Sequence, residues 1–183
     1  MKCVKEDKKG SLTAGVLLFF TGAFVGWLYE VLLFVFKDGM FVDRGMLHGP
    51  WLPIYGLGCL MMVWLKGKIG HRPALYFLIS TLACGVMEYT SSWLAETVYH
   101  VRWWDYSDCF LNLNGRIFLG GLLGFGIAGC LFAFVLFPFL TKLYHRIPEE
   151  RRYVLAAILL TVFLIDLALS LIFPNMGLGI TSC

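Results

Sequence analysis

Charge is scarce in this chain: only 15% of its 183 residues are Asp, Glu, Lys or Arg, whereas 59% belong to the apolar set. A water-soluble chain carries about 25% charged and about 45–50% apolar residues, so the surplus apolar surface must face something other than water. Long polar stretches are also missing. The segments between apolar runs fall well below the roughly 50 residues of a small domain, which excludes a soluble catalytic domain. There is no G-x-x-x-x-G-K-[ST] phosphate loop, so the chain cannot itself hydrolyse a nucleotide. No C-x-x-C pair offers a zinc or redox site. Cys59, Cys84 and Cys130 lie in apolar runs and Cys3 in a basic tail; they read as small packing residues, not a disulfide framework. The net charge of +3 comes from basic residues scattered among short segments, with no nucleic-acid footprint. No metal-ligand spacing or cofactor motif occurs.

What is present is a series of apolar runs near bilayer length. A basic tail, 1–11, precedes a run over 12–36, too long for a signal-peptide core and without a small-residue cleavage site. Further runs follow at 50–65, 74–99, 117–140 and 153–173; the second is short and opens on Pro50 and Pro53. The expectation is an all-α polytopic membrane protein, a bundle of about five transmembrane helices forming one integral membrane domain over 12–183. Lys and Arg are retained on the cytoplasmic side. With the N-terminus inside, the inner segments hold Lys2, Lys5, Lys8, Lys9, Lys66, Lys68, Arg72, Lys142, Arg146, Arg151 and Arg152, leaving only Lys37, Arg44, Arg102 and Arg116 outside. The N-terminus is therefore expected inside and the C-terminus outside, in a multi-pass protein of the cell membrane.

Four acids fall within these runs: Glu30, Glu88, Glu96 and Asp166. A carboxylate in hydrocarbon costs several kcal/mol unless it is protonated, paired or reached by water. All four lie near mid-span or in the outer half, and Glu88, Ser92 and Glu96 repeat every four residues along one helix face. Two compatible readings follow. The acids either pair with Arg44, Arg102 and Arg116 to fix the bundle, or line an outward-facing polar cavity for a cation, a polar group or protons. Glu88 and Arg116 are expected at its core, paired directly or bridged through the outer loop. Gly22 with Gly26, and Gly120 with Gly124 and Ala128, form small-residue stripes suited to close helix packing.

The outer segments are the distinctive ones. Asp43-Arg44-Gly45-Met46-Leu47-His48-Gly49-Pro50-Trp51 is rich in turn formers; His48 reads as a hydrogen-bonding residue, and Trp51 and Tyr55 as interface anchors. The second segment carries Trp103, Trp104, Asp105 and Tyr106, then Asn114 and Arg116, and aromatic faces beside acids are one way to hold a cationic group. Spans one and two with their outer loop weakly echo spans three and four, as in transporters built from repeats.

Gly26-Trp27-x-x-Glu30, Arg44-Gly45-x-Leu47-x-Gly49-Pro50-Trp51-x-Pro53-Ile54-Tyr55-Gly56, Glu88-x-x-x-Ser92-x-x-x-Glu96, Trp103-Trp104-Asp105-Tyr106-Ser107 and Asn114-Gly115-Arg116-Ile117, taken in order, resemble the ABC-transporter type IV (CmpB-like) family of integral membrane proteins. The resemblance covers roughly 15–140. It implies a small multi-span permease subunit of a bacterial plasma membrane, with a separate ATPase subunit as partner, and it carries neither a substrate nor catalytic residues. The expected function is transmembrane transport of a small polar or cationic solute, by a homo- or hetero-oligomer. The candidate binding residues are Glu30, Arg44, Glu88, Ser92, Glu96, Trp103, Trp104, Asp105, Tyr106, Asn114, Arg116 and Asp166. Two alternatives stay open: a membrane-embedded enzyme on a lipid-linked substrate, with Glu88 or Glu96 as base and Arg44 or Arg116 on phosphate, and a structural subunit of a membrane complex.

Overall fold

The computed structural model describes residues 8–100 and 102–175. Helix α1 spans Lys8–Asp38, α2 Pro53–Ile69 and α3 Pro73–Tyr99. Pro53 and Pro73 each open a first turn, where the missing N–H is no loss. The second run thus becomes helical only at Pro53, because the residues before it are folded into the loop. A two-stranded hairpin, β1 (Asn112–Leu113) and β2 (Ile117–Phe118), precedes α4 (Leu119–Leu131). A π-helical turn, Phe132–Leu136, joins α4 to α5 (Phe137–Arg146), and α6 spans Glu149–Ile172. The described residues therefore form five helical rods, α4 and α5 making one of 28 residues.

Three rods are long and apolar enough to cross a membrane: Gly10–Asp38, Leu119–Arg146 and Glu149–Ile172. At 17 residues α2 is shorter, while α3 has the length but carries Glu88, Ser92 and Glu96 along its second half.

Absent side chains set the helix spacing. A Cβ on Gly22 would stand 2.6 Å from Cys59 Sγ, and one on Gly26 would enter the Tyr55 ring, so α1 and α2 pack almost backbone to backbone. The stripe on α4 differs from the expected one. Gly124 and Ala128 are exposed, and a Cβ on Gly124 would meet nothing within 4 Å. It is Gly126, against Thr81 and Phe77, and Gly129, against Met62 and Ser80, that receive the neighbours. Ala133, fully buried, continues that face one turn on.

The π-helical turn has a local cause. Pro138 has no N–H, so the Ala133 carbonyl five residues back gets no backbone donor in π geometry. Lys66 Nζ donates to that carbonyl at 2.5 Å, and its ammonium lies 5.7 and 5.3 Å from the Phe134 and Phe137 rings.

Polar loops gather at one end of the bundle. There the segment after α1 turns back over the helices, burying Val42, Leu47, Trp51 and Leu52. Trp51 packs edge-on to Phe20 and Phe163; at 8% exposure it is a core residue rather than an interface anchor. The opposite end carries the basic turns after α2 and α5, and Tyr144 ties α5 to the start of α1 by donating to the Gly10 carbonyl at 3.1 Å.

Candidate functional site

The expected site residues separate into three groups at the loop end. The first is centred on Arg44. Gly45, at φ +91°, takes a conformation that side chains rarely adopt and turns the chain so that Arg44 points inward. Arg44 is 1% exposed; its Nε donates to Glu30 Oε2 at 2.9 Å and its Nη2 to the Trp103 carbonyl at 2.8 Å. The guanidinium also lies 4.7 Å from the Phe34 ring centre. Tyr55 donates its hydroxyl to the other Glu30 oxygen at 3.0 Å. Trp27 Nε1 holds Asp43 at 2.8 Å, bracing the residue before Arg44.

Glu88 belongs to the same group. It is half-buried on α3, with the Tyr106 hydroxyl directed at it and Glu30 close enough to interact electrostatically. Burial, then the negative charge of Glu88 and Glu30, raises the Tyr106 phenol well above its ordinary range, with Arg44 opposing. Tyr106 thus stays a neutral donor. Two carboxylates and two phenols meet here, and the one guanidinium is paired with Glu30. At 18% exposure for Glu30 and 1% for Arg44, the group is closed over.

The second group lies further out. Arg116 does not pair directly with Glu88: its Nη2 donates to Glu96 at 2.6 Å and its Nη1 to Ser92 Oγ at 3.0 Å, while its guanidinium covers Tyr89. The reason is the hairpin. Three residues, 114–116, join the paired Leu113 and Ile117; Asn114 and Gly115 both take positive φ, which these two residue types tolerate best, and the Arg116 N–H closes the turn onto the Leu113 carbonyl at 3.0 Å. That turn places Arg116 two helical turns above Glu88. A bridge through the loop exists, since Tyr106 faces Glu88 while its own N–H donates to the Gly115 carbonyl at 2.8 Å. Arg102 reaches Glu96 at 3.1 Å and Asp105 at 3.3 Å, and Asp105 accepts from the Ser107 N–H and hydroxyl. Those two Ser107 bonds, then Arg102, hold the Asp105 carboxyl below its usual range. Trp104 Nε1 donates to the Arg116 carbonyl, and Asn114 to the Tyr89 hydroxyl. Each charge in this group has an opposite one, and the group acts as a clasp between α3 and the hairpin. Cys109, in the same loop, is disulfide-bonded, whereas Cys59, Cys84 and Cys130, read as packing residues, are free thiols; Cys3 lies outside the described residues.

The third group stands apart. Asp166 on α6 accepts from the His48 N–H at 3.1 Å, the Gly49 N–H at 2.9 Å, Trp51 Nε1 at 2.7 Å and Ser170 Oγ at 3.2 Å. His48 Nε2 meets the Phe173 carbonyl at 2.7 Å. Asp166 is thus the fastening of the first loop rather than a wall shared with Glu30 and Glu88. Tyr55, expected as an interface anchor, instead turns its hydroxyl to Glu30; its place three residues after Gly-Pro-Trp-Leu gave no sign of that contact.

Long apolar helices whose acids are turned toward one another and toward buried donors define a membrane protein. Residues 17–171 match the family described as "Putative ABC-transporter type IV". The chain belongs to that family, which ties it to a transporter-related role. No curated protein and no solved structure matches it.

Proposed function

We propose that the chain is the membrane subunit of a transporter for a small cationic or polar solute, with its binding group at Glu30, Arg44, Tyr55, Glu88 and Tyr106. In this reading all five rods cross the bilayer of a bacterial plasma membrane, the basic end lies in the cytoplasm and the loop end outside. The charge count carries the proposal. Glu30 is neutralised by Arg44, whereas Glu88 has a phenol for its partner and no cation among the described residues. A buried carboxylate in a membrane interior favours acquiring a positive charge. A proton or an ammonium-bearing solute arriving from outside would supply it, and the phenol oxygens of Tyr55 and Tyr106 would accept its remaining hydrogen bonds. The disulfide at Cys109 supports an outward loop end, since such bonds persist on the oxidising side of a membrane.

With the group closed over in this conformation, access requires the first or second loop to lift, and the clasp of Glu96, Arg102 and Arg116 is the contact that would part. Without a phosphate loop of its own, the chain works with a separate ATPase subunit or on a solute gradient. The test is uptake by the purified chain in proteoliposomes, using a panel of small ammonium compounds and a pH-sensitive dye, with and without candidate ATPases. Saturable uptake of one compound supports the reading; flux equal to that of empty liposomes throughout contradicts it.

A further inference from the structure

Ion pairing in this molecule is one-sided. All four salt bridges among the described residues lie at the loop end, on Arg44, Arg102 and Arg116. At the basic end Lys68, Arg72, Lys142, Arg146, Arg151 and Arg152 have no carboxylate within 4 Å among the described residues, although Glu149 and Glu150 are near in sequence. Arg152 is the partly buried member. Its guanidinium stacks 4.3 Å above the Tyr144 ring, and its Nε has no hydrogen-bond partner among the described residues. Tyr144 is itself held to the Gly10 carbonyl, which fixes the arginine beside the start of α1.

A groove begins there. Ser11, Leu12, Gly15, Val16, Phe19 and Leu60 line a hollow of about 470 Å³ between α1 and α2. Its wall is apolar except for Ser11, the residue after the one that Tyr144 binds. A Cβ at Gly15 would meet only Leu60, at 3.9 Å, so the floor has room to spare. The hollow is an open trough along the helix surface rather than an enclosed cavity, a shape suited to an extended chain.

We infer that this groove and Arg152 together form a binding site for an anionic phospholipid, with an acyl chain along α1 and the headgroup phosphate at the guanidinium. The occupant follows from the pairing of features: an apolar slot that begins one residue beyond Gly10, and close to it a guanidinium with no carboxylate partner among the described residues. A zwitterionic lipid would fill the slot and offer the same phosphate, but its headgroup cation would add positive charge to an end already crowded with Lys and Arg; a soluble anion would meet the guanidinium and leave the slot empty. Anionic lipids of the inner leaflet satisfy both, and basic side chains at that surface attract them.

The test is native mass spectrometry of the full chain in detergent, titrated with dioleoyl phosphatidylglycerol, dioleoyl phosphatidylcholine or inorganic phosphate. Phosphatidylglycerol is expected to remain bound after activation that strips phosphatidylcholine, with no retention of phosphate. Arg152→Gln should weaken phosphatidylglycerol about fivefold, the effect of one basic side chain at an anionic surface. Gly15→Leu, which fills the slot without touching Arg152, should weaken both lipids. Arg152→Lys, which keeps the charge, guards against misfolding and should fall between Arg152→Gln and wild type. Equal retention of the two lipids by wild type, or phosphatidylglycerol binding unchanged in both Arg152→Gln and Gly15→Leu, would overturn the site. Phosphate retained alone would place an anion there and overturn the lipid.

Discussion

Removing the Glu30 carboxylate strands the most deeply buried charge in the described structure. Arg44 is 1% exposed and its Nε, 2.9 Å from Glu30, has no water to turn to when Glu30→Ala is made. Of its described contacts it keeps the Trp103 carbonyl at 2.8 Å and the Phe34 ring face, neither of which carries a full negative charge. Breaking a buried pair by deleting one partner costs about 3–5 kcal/mol, or roughly 150- to 4,000-fold in the unfolding equilibrium. Tyr55 also loses its acceptor. The comparison is Arg102→Ala: its pair with Glu96 is partly exposed and Glu96 keeps Arg116, so its stability should stay near wild type, as for most surface pairs. Reversible unfolding in mixed micelles of graded denaturing detergent measures both. Glu30→Leu combined with Arg44→Leu should recover much of the loss, because an apolar pair needs no counter-charge. If Glu30→Ala and Arg102→Ala prove equally mild, the reasoning that burial sets the worth of these pairs is wrong.

Asp166→Asn should loosen the first loop, since one carboxylate oxygen that faces the Gly49 N–H and Trp51 Nε1 becomes an amide donor; charge-assisted bonds are worth about 1.5–3 kcal/mol each, and amide exchange over 45–51 should quicken while that of α3 does not. The lowered Asp105 carboxyl stabilises the second loop fully above the ordinary aspartate value, about 3.9, and that support is lost as pH falls through the lower folded value. Protease sensitivity of 102–116 should therefore be flat from neutral pH to about 5 and rise in more acid solution, and Asp105→Asn should weaken the dependence, leaving the part that Glu96 carries through Arg102 and Arg116. Lys37→Cys and Asp108→Cys should react with an impermeant thiol reagent added outside whole cells and Arg151→Cys should not; the reverse pattern would invert the proposed orientation.

Much of the architecture is legible in the chain because lipid imposes a coarse code. Runs of apolar residues, the proline at 53 and the acid positions place the helices and predict that Glu30 and Glu88 face a common polar region with Arg44 as a candidate partner. Where a residue's partner lies across space, the code is silent. The pairing of Arg116 with Glu96 rather than Glu88 depends on an Asn-Gly hairpin, a signal present in Asn114-Gly115 but easily passed over inside a polar loop. The choice of Gly126 over Gly124 depends on the helix's rotation, which a helix apolar on every side does not reveal. Asp166 reads as a buried acid like the others, and only the fold of the first loop supplies its three N–H donors.

In the proposed function Glu88 is the acid left for the solute, and Glu88→Gln assayed for both folded yield and flux tests that assignment. Because no cation among the described residues pairs with Glu88, the variant should be monodisperse at wild-type yield and should lose saturable uptake in proteoliposomes. Collapse of the yield would show a structural acid, and wild-type yield with wild-type uptake would contradict the assignment of this group as the site.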